Sequence, residues 1–216
     1  MIVIEMLIMS ILICLIGLDG SGKTTLSNHL IYYLSEKYKS RCRYVWAKLG
    51  QTSLSRLFIK SRSGIEKNEE NPFRLSNKYK YISYLYLFYI LIEHWIRIII
   101  FIEIPYLLNQ NIVCDRYYYD SIVDLVLNFD IPYEKANDIF KLLPFIPEPD
   151  LTFYIKITPQ IAYSRKKDIY SIKYLENRYK IYSHLESDYS LNPLDGTKDI
   201  KVLIKEIQDR INYILD

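Results

Sequence analysis

Short, unbroken apolar runs alternate along this chain with longer segments in which apolar residues recur every three to four positions. The runs Ser10–Ile16, Cys42–Ala47, Asn111–Cys114 and Leu151–Ile157 are bounded by polar or turn residues and read as strands buried on both faces. Ser190–Leu194 is a poorer fifth. Between them lie helical patterns: Thr24–Tyr38, carrying Leu26, Leu30, Ile31 and Leu34 at helical spacing, then Ser53–Ile59, Leu75–Leu108, Ser121–Phe129, Tyr133–Leu143, Pro159–Lys167, Lys173–Leu185 and Thr197–Leu215. A break is expected near Pro105, and the polar stretch Ser61–Asn71 reads as a surface loop. Strands alternating with helices predict a three-layer α/β/α fold around a central five-stranded parallel sheet. With no linker or internal repeat, the expectation is one domain over residues 1–216. Ligands of such sheets sit at the carboxyl ends of the strands.

Two segments are apolar enough to need a separate reading. Met1–Ile16 lacks the basic start of a signal peptide, carries Glu5, and runs straight into a glycine-rich turn, so it is read as leading into the first strand. Met9 is an alternative start that would leave this strand whole. Tyr81–Ile104 has the length of a membrane span, but Glu93, His94 and Arg97 fall near its middle, where charge is costly in lipid. Glu93 and Arg97 lie one helical turn apart and can pair. Burial in a core or a subunit interface is the favoured reading.

Composition is globular: half the residues are apolar, and 28 basic against 25 acidic side chains leave a net charge of +3. No dense Lys/Arg run accompanies that charge, and the 22 tyrosines do not alternate with basic residues, which argues against nucleic-acid binding. Cys14, Cys42 and Cys114 are widely spaced, fit neither a zinc site nor a disulfide framework, and point to free thiols in a reducing, cytoplasmic setting. His29, His94 and His184 have no metal-ligand spacing.

The chemistry begins at Gly17-Leu18-Asp19-Gly20-Ser21-Gly22-Lys23-Thr24, followed by Thr25. It fits GxxxxGK[ST] between a predicted strand and a predicted helix. Glycines let the backbone curl until several N–H groups converge as an anion nest, and the helix that follows adds its positive end. Lys23 supplies a point charge to the transferring phosphoryl group, and Thr24 a hydroxyl to Mg2+. Asp115-Arg116-Tyr117 ends the third strand: Asp115 is placed to hold magnesium through water, and Arg116 to fork onto an acceptor phosphate.

The loop GLDGSGKTT, the later DRY triplet, the run PDLTFYIKITPQIAYSR, the helix YLENRYKIYSHL and the late turn LDGT, in this order, resemble the thymidylate kinase family along the whole chain. The resemblance implies ATP- and Mg-dependent phosphoryl transfer to a nucleoside monophosphate, dTMP first. It implies Lys23, Asp19 and Arg116 as catalytic residues, with Asp19 near the acceptor sugar and the magnesium shell. Arg165 would lie beside the adenine, which Asp195–Thr197 would border. It also implies homodimers packed through the long central helices.

The departures fall on the acceptor side. Aligned on His94, Ile90 and Leu91 replace an Asp–Arg pair with which the family reads the thymine edge. Lys48, in Ala47-Lys48-Leu49-Gly50, keeps a positive charge where the family has arginine, without the two-pronged geometry. Asp120 and Asp124 share a helix face and carry two readings: contacts to hydroxyls or amino groups of the acceptor, or acidic residues at a helix start, with Asp120 as N-cap. The lid is short, and Lys166, Lys167, Lys173 or Arg178 is expected to replace its arginine. A kinase of another small acceptor is therefore the alternative. A nucleoside kinase would need a carboxylate base after the second strand, which is missing. A non-catalytic or membrane-associated nucleotide binder would not need the intact Lys23 and Thr24.

Overall fold

The computed structural model describes residues 10–50, 80–166, 168–169 and 171–215, with backbone alone at 80–83. The Met9 start, the Ser53–Ile59 helix, the Ser61–Asn71 loop, the first turn of the long helix and Lys167 lie outside those residues.

Five strands, β1 (Leu12–Gly17), β2 (Cys42–Val45), β3 (Asn111–Asp115), β4 (Leu151–Lys156) and β5 (Asn192–Asp195), form one all-parallel sheet in the order β2-β3-β1-β4-β5. The helices are α1 (Lys23–Tyr38), α2 (Lys80–Ile98), α3 (Ile104–Leu107), α4 (Tyr118–Phe129), α5 (Tyr133–Leu142), α6 (Pro159–Arg165), α7 (Ile172–Asp188) and α8 (Ile200–Leu215).

Alternation along β1 explains the layers. Leu12, Cys14 and Ile16 point into a core shared with α2, α4, α5 and α7, while Ile13 and Leu15 point into the other, against Leu26 and Leu30 of α1 and Leu203 and Ile207 of α8. Buried on both faces, the strand has no polar position to offer, hence its unbroken apolar run. The chain's first described residues are tied in by side chains: the Ile11 N–H donates to Asn111 Oδ1 (2.9 Å) and the Leu12 N–H to Asp150 Oδ2 (2.7 Å). Cys14 and Cys114 are buried free thiols facing each other across β1 and β3, and burial pushes the Cys14 thiol up, away from the reactive thiolate.

Several boundaries differ from the sequence reading. Pro105 does not break the long helix. A π-helical stretch, Ile99–Glu103, precedes it, and the rod continues past Pro105 in the first turn of α3. Helix α4 starts at Tyr118, before the expected Ser121. Tyr117 is therefore the N-cap, and Asp120 sits three residues into the helix, its Oδ2 accepting the Tyr117 N–H (3.2 Å) as the carboxylate half of a capping box. The fifth strand runs Asn192–Asp195, pairing with β4 from Phe153 to Lys156.

Candidate active site

The carboxyl ends of β1 and β3 meet where the strand order reverses, and the expected phosphate loop leaves β1 there. Gly17 closes β1 at φ +137°, and a Cβ on it would stand 2.7 Å from the Ile155 carbonyl oxygen. Gly20 has φ +86°, and its Cβ would meet the Ala162 carbonyl oxygen at 2.8 Å. Both sites admit only glycine, so the loop can curl tightly against β4 and α6. Helix α1 opens at Lys23 without a side-chain cap, so no side chain competes for its first N–H groups, which is the condition for anion binding.

Lys23 folds back over this loop. Its Nζ donates to the carbonyls of Gly17 (2.9 Å) and Leu18 (2.6 Å) and to Ser21 Oγ (3.2 Å). Burial, then the Arg116 charge, lower its pKa to about 8 against the pull of Asp19, Asp120 and Asp115.

At the end of β3, Thr24 Oγ1 donates to Asp115 Oδ2 at 2.5 Å, and the Tyr44 hydroxyl donates to the same oxygen at 3.1 Å. A hydroxyl and a carboxylate side by side at the loop's mouth are hard oxygen donors suited to a magnesium ion that keeps waters and phosphate oxygens as its other ligands. Burial raises the Tyr44 hydroxyl's pKa, and Asp115 raises it further, so Tyr44 remains a donor.

Arg116 has a left-handed backbone, φ 75°, which is uncommon for a side chain of its size. Two carboxylates hold it there. Nη2 pairs with Asp19, and Nη1 with Asp120 Oδ1 at 3.1 Å. Asp120 also accepts from the Tyr182 hydroxyl at 2.5 Å. Burial is the largest single effect on each member of the Arg116–Asp19 pair and opposes its charge, but the surrounding opposite charges together outweigh it, Asp19 and Asp120 acting on Arg116 and Arg116 first among the cations acting on Asp19. Asp19 is held well below the usual carboxylate range, with Arg178, Lys23 and Lys48 adding to the effect, and Arg116 is pushed up. On Asp120, burial wins and raises the carboxyl.

The wall of a cavity of about 650 Å³ includes Asp19, Gly20, Gly22, Lys23, Thr24, Thr25, Asp115, Arg116, Lys48 and Arg165. Gly17, Leu18 and Ser21 form the loop behind it. Arg165 Nη1 donates to the Gly196 carbonyl (2.9 Å), which joins α6 to the Asp195–Thr197 turn; Arg165 lines the cavity, and Asp195, Gly196 and Thr197 do not. Lys166 lines the cavity, with its Nζ 3.6 Å from Asp168 Oδ2.

Other expectations meet different surroundings. Asp120, 0% exposed, lies behind Arg116 and not on the cavity wall, so it aims the arginine and presents no surface to an acceptor. Arg178 is 1% exposed in α7, its Nη1 2.6 Å from Asp124 Oδ1; locked inside, it is no mobile lid cation. Ile90 is packed in the core, and Leu91 is half-buried against it. Tyr44, Trp46 and Tyr174 line the cavity although sequence reasoning passed over them. Tyr44 and Trp46 stand two apart on one side of the chain leaving β2, an alternation visible in the sequence but without a motif to mark it.

A family model described as Thymidylate kinase matches residues 16–207. A protein named thymidylate kinase from Wolbachia pipientis subsp. Culex pipiens is 28% identical over 174 residues, 80% of this chain and 76% of the relative. A thymidylate kinase from Mycoplasmopsis pulmonis is 27% identical over 153 residues, 70% of this chain and 60% of the relative.

Proposed function

We propose a reaction for this chain from the premise that it belongs to the thymidylate kinase family, a family of nucleotide kinases. The reaction is transfer of the γ-phosphoryl group of ATP, with Mg2+, to a nucleoside monophosphate, dTMP first. The observation that carries it is the joining of two phosphate-seeking devices in one cavity. These are the Gly17–Thr24 loop with Lys23, and Arg116, fixed by Asp19 and Asp120.

The loop amides and the start of α1 take the phosphates of the donor, and Lys23 exchanges its carbonyl partners for phosphate oxygens. Arg116 presents its guanidinium to the acceptor phosphate, with Lys48 as a second cation on the cavity wall. Asp19, kept ionised, orients Arg116 and faces the acceptor sugar. Thr24 and Asp115 are the residues that would hold Mg2+, which when bound supplies positive charge to the donor's phosphate oxygens. Arg165 and the Asp195–Thr197 turn border the adenine. Catalysis is thus positioning and electrostatics without a covalent enzyme intermediate. The setting is a cytoplasmic homodimer.

A second reading, a kinase of a different nucleotide, draws on Ile90 and Leu91, apolar and turned into the core. Incubating the purified protein with ATP, Mg2+ and each nucleoside monophosphate, with ADP release followed by a coupled assay, separates the two. Fastest turnover with dTMP, abolished in Lys23→Ala, is expected. Turnover of no monophosphate, or an unimpaired Lys23→Ala protein, sinks the proposal.

A further inference from the structure

We propose that Arg178 reads the base of the acceptor. Its Nε–Nη2 edge, reached past the Tyr174 ring, donates to a ring carbonyl and so favours keto bases over amino bases. The inference rests on the proposed monophosphate kinase reaction.

Arg178 is the largest fully buried side chain among the described residues. Its Nη1 is fully used, donating to Asp124 Oδ1 at 2.6 Å and to the Tyr174 hydroxyl at 3.1 Å. Nε and Nη2 are buried and have no hydrogen-bond partner among the described residues. A guanidinium has five N–H donors and no acceptor, so three donors on one edge are left over. Leaving donors of a charged group unmet in the interior is costly, and native structures rarely do so without a ligand or water to meet them.

The surroundings of Arg178 indicate which ligand. Tyr174 lines the cavity, and Arg178 follows it one turn later on the same face of α7, 5.5 Å from its ring. Its charge acts on Asp19, Lys48 and Arg116, all three on the cavity wall. Arg178 is thus not itself on the cavity wall but stands one side chain, Tyr174, behind it, and that wall also carries Arg116 and Lys48.

The ion pair with Asp124 offsets part of its charge, so the unmet N–H donors, more than a net attraction for a dianion, set it apart from Arg116 and Lys48. Arg116 and Lys48, nearer the loop, already serve a phosphate. Aimed donors paired with a neutralising carboxylate suit a neutral carbonyl oxygen. Thymine, uracil and guanine present such an oxygen where cytosine and adenine present an amino group, itself a donor that this edge would repel.

The test compares the wild type, Arg178→Lys and the double variant Asp124→Leu/Arg178→Met. The double variant replaces the buried pair by apolar residues of similar bulk, a change that commonly leaves folding intact. Arg178→Lys keeps the pairing charge but loses the fork and serves if the double variant does not fold. For each, kcat and KM are measured for dTMP, dGMP, dCMP and dAMP, with KM for ATP as the control. The wild type is expected to prefer the keto bases. Either variant is expected to lose roughly ten- to hundred-fold of that preference, through the acceptor KM, with ATP unaffected. An unchanged keto-to-amino ratio in a folded variant overturns the inference and leaves the kinase reading standing. So does an equal rise in KM for all four, which would place Arg178 on the phosphate, and so does a wild type that prefers amino bases. A wild type that phosphorylates no monophosphate overturns both readings together.

Discussion

Lys23 shows how a single residue couples binding to pH. In the free protein its pKa is lowered to about 8, burial being the largest cause. A polyphosphate against Nζ favours the charged form and raises that value. ATP binding therefore takes up a proton at pH values above 8, and affinity is complete below that point and falls as pH rises through it. Titration calorimetry in two buffers of different ionisation heat should show the uptake above pH 8 and its disappearance in Lys23→Met. Uptake that persists in that variant would assign the proton elsewhere. Arg116 is a second case. Its left-handed backbone and its two carboxylate partners suit a rigid fork, which a lysine cannot supply. Arg116→Lys is expected to raise KM for the acceptor about ten- to hundred-fold while leaving ATP affinity within about two-fold. Steady-state kinetics with each substrate varied in turn checks it, and an equal loss on both substrates would count against an acceptor role.

Elements hold these residues in place through contacts that are partly polar, and one of them carries its own pH signature. Helices α2 and α4 meet where His94 Nε2 lies 3.0 Å from Ser121 Oγ, with the Phe140 ring of α5 edge-on to the imidazole. Burial, then Arg97, lower the His94 pKa from 6.5 to about 4, against the opposing pull of Asp124. The unfolded chain binds a proton at a higher pH than the folded one, so stability is full above 6.5 and is lost as pH falls towards 4. The shift from 6.5 to about 4 corresponds to about 3 kcal/mol at the acid end. Denaturant unfolding of the wild type and His94→Gln between pH 7 and pH 4 should show a shallower slope in the variant; parallel slopes would exclude His94 as the source. The same elements show what a sequence can and cannot convey. The strands and the phosphate loop were legible because both-face burial writes an unbroken apolar run and the loop needs glycine at fixed places. The start of α4 was not, because Tyr117 is no usual cap, and Asp120 reads alike as cap, capping-box partner or ligand until its neighbours are known. Arg178 was legible as a cation, and Tyr174 one turn before it was in plain view, but its confinement depends on Asp124, which arrives from α4.

On the scale of the whole molecule, the long helix poses a question that the sheet does not answer. Ile90, His94, Ile98 and Ile102 bury one face of the α2–π–α3 rod, yet only 28% of its most apolar stretch is buried against the described residues. On the outer face Leu85 is 70% exposed and Phe88 66%, continued by Ile92, Ile96, Ile100 and Ile104. Of the expected burial in a core or a subunit interface, core burial thus accounts for one face. A contiguous apolar surface of this length needs a cover. In lipid, Glu93, Arg97 and Glu103 would have to be desolvated along the same rod, whereas a second copy crossing it leaves charges at the rim free to meet water. The homodimer of the proposed function would make the stronger cover, because a two-fold axis through the stripe would set apolar side chains such as Phe88 and Ile92 against their own copies. The expected outcome is a dimer for the wild type at micromolar concentration in sedimentation equilibrium, and a monomer for Leu85→Glu/Phe88→Glu. Phosphate-loop chemistry should survive in that monomer, read as ATP affinity within a few-fold of the parent, because the stripe lies on the face of the rod turned away from the core. A wild type that sediments as a monomer and floats with liposomes would show that the membrane, and not a second copy, covers this face.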